Sequence, residues 1–173
     1  MKAGTVPRER PIERLADFDS FFRDEFPRVV RAAALVARDL GAGEDCAQEA
    51  FLRLHQRWGR MESDAHARNF AYRAALNLAR SHVRKHLRVS LSGSTHETAQ
   101  SDASSATVEW LALLDAVASL SGKQRAVLAL VDYLGYDADA AARTLGISPS
   151  TVRVHLKRAR DAVRRHLTGG DPR

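Results

Sequence analysis

The stretch DADAAARTLGISPSTVRVHLKRARDAVRRHL, residues 137–167, decides the fold. Ala141, Ala142 and Leu145 give a short helix its inward face. Gly146 can take the left-handed conformation that ends a helix without a Cβ penalty, and Ile147 suits the angle between two helices. Ser148 stands as N-cap, with Pro149 at the first helical position, where a missing N–H costs nothing. Val152, Leu156, Ala159 and Val163 then recur at helical spacing as an inward stripe. Arg153, Lys157, Arg158, Arg160, Arg164 and Arg165 lie largely off that stripe, against one acid, Asp161. The pattern predicts a helix-turn-helix whose second helix can enter a DNA major groove. The competing reading is a solvated basic helix in a bundle, which the turn and cap chemistry disfavour.

Around that stretch, 173 residues suit one medium domain or two small ones, and a 45% hydrophobic share supplies a core. Aromatic residues are few and alanine is abundant, which favours helix over strand. The net charge of +6 fits nucleic acid, an anionic membrane surface or an acidic protein partner. A single cysteine, Cys46, rules out an internal disulfide and any zinc cluster built on cysteines. The start, MKAGTVPRERPIERL, has no apolar core of signal-peptide length, and no apolar run suits a membrane span. The expected location is therefore the cytoplasm, without membrane insertion.

Working outward, residues 1–16 read as a flexible arm and residues 169–173 as a tail. An amphipathic helix is expected from Asp17 to Leu40, bent or broken near Pro27, with Gly41-Ala42-Gly43 as the break after it. A second helix, Glu44 to Trp58, carries Ala47, Phe51, Leu54 and Trp58 inward and gathers Glu44, Asp45 and Glu49 in its first half. Acids there complement the helix dipole, and they also suit a basic partner surface. Ser63 can cap a third helix, Asp64 to about Leu87, with Phe70, Ala74, Leu78 and Val83 inward. Between Arg68 and Arg88 that helix holds six Arg or Lys residues and no acid, interleaved with Asn69, Phe70, Tyr72 and Asn77. Cations track a phosphate backbone, aromatic faces stack bases and amides read base edges, so the combination points to nucleic acid. Residues 89–106 are rich in Ser and Thr and read as a linker that lets two domains move independently. Helices are then expected at Val108–Leu120 and, opened by a Ser121/Gln124 capping box, at Gly122–Leu134. Asp137 is the N-cap candidate for the first helix of the helix-turn-helix. The expected class is all-α: two small helical domains, 17–88 and 107–168, joined by a flexible linker.

The residues of metal and covalent chemistry do not assemble. His82 and His86 have a ligand spacing but lack a third partner in sequence. No G-x-S-x-G elbow and no phosphate-binding G-x-x-x-x-G-K occur. Cys46, among inward-leaning neighbours, reads as a small buried side chain rather than a redox sensor. Neither a cofactor nor an enzymatic activity is expected.

Taken together, residues 17–167 resemble the extracytoplasmic-function sigma factors of the sigma-70 family. EDCAQEAFLRL resembles their region 2.2, with Glu44, Asp45, Gln48, Glu49 and Phe51 matching. FAYRAALNLARSHVR resembles regions 2.3 and 2.4, with Tyr72, Arg73, Asn77 and Arg84 matching and Phe70 where Trp is usual. SLSGKQRAVLAL is similar to the start of region 4, and GISPSTVRVHLKRAR to the region 4.2 recognition helix, with His155 where Arg is frequent. The resemblance implies a promoter-specificity subunit without catalysis of its own. Glu44, Asp45, Gln48, Glu49 and Arg53 would dock on core RNA polymerase at the β′ clamp helices, with region 4 near the β flap. Asn69, Phe70, Tyr72, Arg73, Asn77, Arg80, Arg84 and Lys85 would engage the −10 element. Arg125, Ser150, Thr151, Arg153, Val154, His155, Lys157 and Arg158 would engage the −35 element. Promoter DNA and an anti-sigma factor are the implied further partners. The linker, with Glu97 and Asp102 and no Lys or Arg in 90–106, either imitates nucleic acid in the RNA exit path or is simply a linker. The alternative function is a free-standing helix-turn-helix regulator of the LuxR output type.

Overall fold

The computed structural model describes the backbone of residues 17–91 and 108–169, and the side chains of 17–86 and 108–169. The expected arm, most of the expected linker and the end of the tail lie outside the described residues. All described elements are helical. In order they are α1 (Phe18–Ala37), α2 (Leu40–His55), a 3₁₀ turn (Trp58–Arg60), α3 (Asp64–Leu91), α4 (Val108–Ala116), α5 (Gly122–Leu128), a π turn (Ala129–Tyr133), α6 (Ala138–Leu145) and α7 (Pro149–Leu167).

Asp17 opens α1, its carboxylate accepting from the Ser20 amide at 3.0 Å. The helix runs through Pro27 without ending, and Gly41 and Gly43 are not the break. The break is Arg38-Asp39. Arg38 takes the left-handed conformation (φ 63°) and returns its N–H to the Ala34 carbonyl, which closes α1. Asp39 then caps α2, its carboxylate accepting from Ala42 N at 2.6 Å, so both glycines fall inside the first turns of α2. Asp capping at the breakpoint outweighs the weak helix propensity of Gly.

The first unit packs α1, α2 and α3 on small residues. Ala32, Ala33 and Ala34 of α1, Ala47 and Ala50 of α2, and Ala67, Ala71, Ala75 and Ala79 of α3 are all fully buried. The inward stripe of α3 is therefore this alanine row with Tyr72 and Leu76. The expected Phe70, Ala74, Leu78 and Val83 are only half-buried at its edge. Cys46 is buried as expected, and burial followed by the neighbouring Asp45 charge pushes its thiol up to about 11. At Gly43 α1 and α2 approach so closely that a Cβ there would lie 2.6 Å from the Ala34 Cβ and backbone nitrogen.

Inside this unit sits one buried carboxylate. Glu25 accepts from Arg68 Nε at 2.7 Å and from the Tyr72 hydroxyl at 3.1 Å, with Arg28 at 3.9 Å. Burial first, and then the Glu25 charge, push the Tyr72 phenol far above its ordinary pKa, so Tyr72 stays a neutral donor.

The second unit carries the cap chemistry that its sequence predicts. Ser121 and Gln124 form the reciprocal capping box. Asp137 caps α6, Gly146 (φ 67°) closes it, and Ser148 caps α7 with Pro149 at its start. The helix opened at Gly122 does not stay α-helical to Leu134. It widens at Ala129–Tyr133, where Leu134 N reaches the Ala129 carbonyl at 3.1 Å. Val152 and Ala159 anchor α7, with Leu156 and Val163 half-buried beside them.

The two units do not stand apart. One continuous core runs from Phe21 to Ala159, and α1 and α3 pack against α5 and α6. The sequence carried no sign of this contact.

Two substitutions test the packing. Gly43→Ala removes a glycine from a helix, which alone would stabilise by roughly 0.5–1 kcal/mol. The Ala34 backbone cannot yield cheaply, so a net loss of about 1–3 kcal/mol is expected in chemical denaturation. Gly59→Ala, with nothing within 4 Å of its Cβ, is the neutral control. Glu25→Gln should cost about 1–3 kcal/mol by loss of charge-assisted hydrogen bonds, towards the lower figure because the Arg68 side chain is 40% exposed.

Candidate nucleic-acid interface

Pairing separates the cations of α7 into two groups. Arg160 is held by Asp132 of the π turn at 3.0 and 2.5 Å, and Arg164 lies 3.8 Å from Asp161. Arg153, Lys157 and Arg158 are exposed and meet no carboxylate at ion-pair distance among the described residues. With them on the first turns stand Ser150, exposed, and Val154, 48% exposed. Thr151 is half-buried, its hydroxyl 2.7 Å from the Ser148 hydroxyl. His155 is half-buried, and its Nδ1 has no hydrogen-bond partner. Burial, then the Lys123 and Arg158 charges, hold its pKa below the ordinary value, so the ring is neutral near pH 7. The result is a cationic surface at the start of a capped helix, backed by a rigid stripe.

A second cationic surface lies on α3. Arg73, Asn77, Arg84 and Lys85 are exposed. Of these, Arg84 donates to the Ser81 hydroxyl at 2.9 Å, and none is paired with an acid among the described residues. Beside them a cleft of about 660 Å³ opens between α2 and α3, lined by Leu52, Arg53, Gln56, Arg57, Phe70, Arg73 and Asn77 among others. The Arg57 guanidinium lies 5.6 Å from the centroid of the Phe70 ring. The cleft thus combines an aromatic face, cations and an amide, the chemistry that captures an unstacked base. Leu52, Gln56 and Arg57 were not singled out from the sequence. Arg57 follows Arg53 by one helical turn, and that spacing is the signal that was there to find.

The acidic face of α2 is present in part. Glu44, Asp45 and Gln48 are exposed, whereas Glu49 is paired with Arg53 at 2.7 Å, which lowers the net charge of that end. Leu52, 61% exposed, stands on the same face.

Four residues expected to contact DNA also meet other parts of the chain. Tyr72 is 1% exposed, its hydroxyl on Glu25, so no base can stack on it in this arrangement. Asn69 accepts from the Tyr136 hydroxyl of the second unit at 2.9 Å. Arg80 is half-buried beside Gly122, at the head of α5. Arg125 is 4% exposed, donating to the Val36 carbonyl of α1 at 2.8 Å and to the Leu120 carbonyl. For Tyr72 and Arg125, helix position in the sequence could not show that the side chain turns into the core. The His82 and His86 rings lie 4.2 Å apart, and among the described residues no cluster of three or more His, Cys, Asp or Glu could hold a metal. Nor is any helix there long and apolar enough to cross a membrane.

Comparison with known proteins meets this geometry at both surfaces. The sigma-70 region 2 family matches residues 21–89, covering α1 to α3, and the sigma-70 region 4 family matches residues 110–163, covering α4 to most of α7. A probable RNA polymerase sigma factor, RfaY, of Xanthomonas campestris is 34% identical over 149 residues, which is 80% of this chain and 37% of that protein. The ECF RNA polymerase sigma factor SigM of Mycobacterium tuberculosis is 28% identical over 87% of this chain and 76% of its own. The chain thus spans little more than a third of RfaY and about three quarters of SigM. Among solved structures, the sigma factor RpoE of Bartonella quintana, crystallised with the anti-sigma factor NepR, shares the fold with a TM-score of 0.72 at 21% identity, over 90% of this chain and 99% of that one. With both family regions matched in order on its two helical units, the chain belongs to the sigma-70 family and is an RNA polymerase sigma factor of the extracytoplasmic-function class, carrying regions 2 and 4.

Proposed function

We propose that this sigma factor docks on core RNA polymerase through α2 and grips a promoter in two places, the −10 element with region 2 and the −35 element with region 4. The observation that carries the reading is the pair of cationic surfaces without acid partners among the described residues, one on each unit, with an open cleft of about 660 Å³ beside the one on region 2. Arg73, Arg84 and Lys85 hold phosphates of the −10 strand, while Phe70 and Asn77 receive an unstacked base. Arg53 serves both faces of α2: it borders the cleft and steadies Glu49. Tyr72 acts through Glu25 by fixing the position of α3. In region 4, Arg153, Val154 and Arg158 face base edges of the major groove, and Ser150, Thr151, His155 and Lys157 hold the backbone. A neutral His155 brings no positive charge, unlike the arginine frequent at this place, so its hold on the backbone is weaker.

On the docking face, Glu44, Asp45, Gln48 and Glu49 form a polar strip along α2 that runs towards the exposed Leu52, a mixed surface that suits a transient protein contact. An anti-sigma partner belongs to the same proposal. The Bartonella factor is crystallised with one. In this chain a cleft of about 760 Å³ between Phe26, Val30, Trp110, Leu113 and Tyr133 offers such a partner an apolar seat, with Glu44 and Glu109 at its rim.

Run-off transcription with core polymerase on a genomic promoter library tests the reading. Initiation dependent on the added chain is expected; tight duplex binding without any initiation would make it a free-standing regulator instead. Charge reversal at both Asp45 and Glu49 should weaken core binding on the order of 10-fold or more while leaving helicity intact. An unchanged ability to compete for core would remove α2 from the docking face. Arg153→Ala should alter −35 preference by about 1–3 kcal/mol at one base position. A uniform loss across all sequences would make Arg153 a phosphate contact.

A further inference from the structure

On α7, His155 stands in a cluster made only of cations. Its ring is half-buried: Nδ1 is enclosed and has no hydrogen-bond partner, while Nε2 is not enclosed. Lys123 of α5 and Arg158, one turn further along α7, are the charges that act on the ring, and both oppose its protonation. Lys123, like Arg158, is exposed and meets no carboxylate at ion-pair distance among the described residues. The acids of the neighbouring elements are turned to other partners. Asp115 of α4 lies 3.2 Å from His166, Asp132 of the π turn holds Arg160, and Asp161 of α7 lies 3.8 Å from Arg164. Neither Asp139 nor Arg143 of α6 bears on the ring charge.

Two cations and an imidazole on packed helices, with no carboxylate among them, repel one another until an anion arrives. In the free protein the neutral ring leaves a bare lone pair on the enclosed Nδ1 and carries its proton outward on Nε2. A second proton would put an N–H where nothing accepts it, beside two positive charges. A phosphodiester oxygen at Nε2 reverses that balance. It accepts from Nε2–H, offsets the repulsion from Lys123 and Arg158, and stabilises the imidazolium, whose charge is shared by both ring nitrogens. We propose that Lys123, His155 and Arg158 form one phosphate seat bridging α5 and α7, and that this seat takes up a DNA phosphodiester and a solvent proton together. Lys123 thereby joins the −35 surface from a second helix. His155 regains by protonation the charge that an arginine would carry permanently. The sign follows from linkage: binding raises the pKa of His155, so affinity grows as pH falls through the window between the bound ring's pKa and the free ring's, which lies below the ordinary 6.5. The meaning for promoters rests on the −35 reading of α7 proposed above; the cation cluster itself does not.

The test uses the full chain and a mixed-sequence DNA duplex of about 20 base pairs at low salt, since non-specific Kd values of roughly 10⁻⁴–10⁻⁶ M hold even at physiological salt. Ring NMR, with His155 assigned by the signal lost in His155→Gln, follows protonation in the free and the duplex-bound protein. Free His155 should titrate below 6.5, and Lys123→Gln should move it up. With duplex present the proton affinity of the ring should rise about 3- to 10-fold. By fluorescence anisotropy, the parent's Kd should tighten about 3- to 10-fold more than that of His155→Gln between about pH 7.5 and 5.5, a difference that removes the contribution of the other histidines. His155→Arg should bind tightly throughout, with that difference lost. Circular dichroism checks that each variant keeps its helicity; if His155→Gln unfolds, the parent titration and Lys123→Gln, at an exposed position, decide alone. A ring whose proton affinity stays level or falls on duplex binding overturns the seat. So does a parent that binds no duplex, or a Lys123→Gln variant that changes neither the free ring nor duplex affinity. Run-off transcription decides the grip separately. Initiation without proton linkage overturns the seat alone, whereas proton-linked duplex binding without initiation supports the seat and overturns the promoter grip.

Discussion

The close approach of α1, α2 and α3 depends on faces that carry almost no side chain. Ala34 and Gly43 meet where the first two helices come together, and the row Ala67, Ala71, Ala75 and Ala79 lets α3 lie against both. Such packing is stabilised by many short contacts between backbones and methyl groups rather than by a few large hydrophobes. It also places polar groups where larger side chains would have kept them apart. Glu25 can reach Arg68 and Tyr72 because α1 and α3 are close, and that network presents Tyr72 to the ring of Tyr136. The position of region 4 on region 2 follows from this spacing.

The same alanine faces explain what could be read from the sequence and what could not. Caps are local chemistry: Ser121 with Gln124, Asp137, Gly146 and Ser148 with Pro149 each act within four residues, and all stand as the sequence predicts. The apolar stripe of α3 is different. Alanine gives little periodic signal, so the larger Phe70 and Leu78 drew the inward face one step around the helix, when they flank it. At the first break, the glycines suggested a turn, while Asp39, three residues before Ala42, carried the stronger signal as a cap. The π turn at Ala129–Tyr133 had no mark in composition at all.

For the interface, the residue types were legible and their pairing was not. A count of Arg and Lys along α7 cannot show that Asp132, from another element, takes up Arg160 and leaves Arg153, Lys157 and Arg158 free of acids. Arg125 reads as a surface cation at a helix head, and only tertiary packing turns it onto a carbonyl. Contacts between distant segments are where a pattern of period 3.6 carries no information.

The construction of α7 separates two properties that are often coupled. Its inward side is held by Val152 and Ala159, and its start by Ser148, Pro149 and the turn at Gly146. The outward positions 150, 153, 154, 157 and 158 are exposed and join no ion pair among the described residues. Substitutions on the two sides should therefore contribute almost additively, since they share few neighbours. The outward residues can be exchanged freely with little effect on folding, and a lineage can drift from one target sequence to another without passing through unstable intermediates.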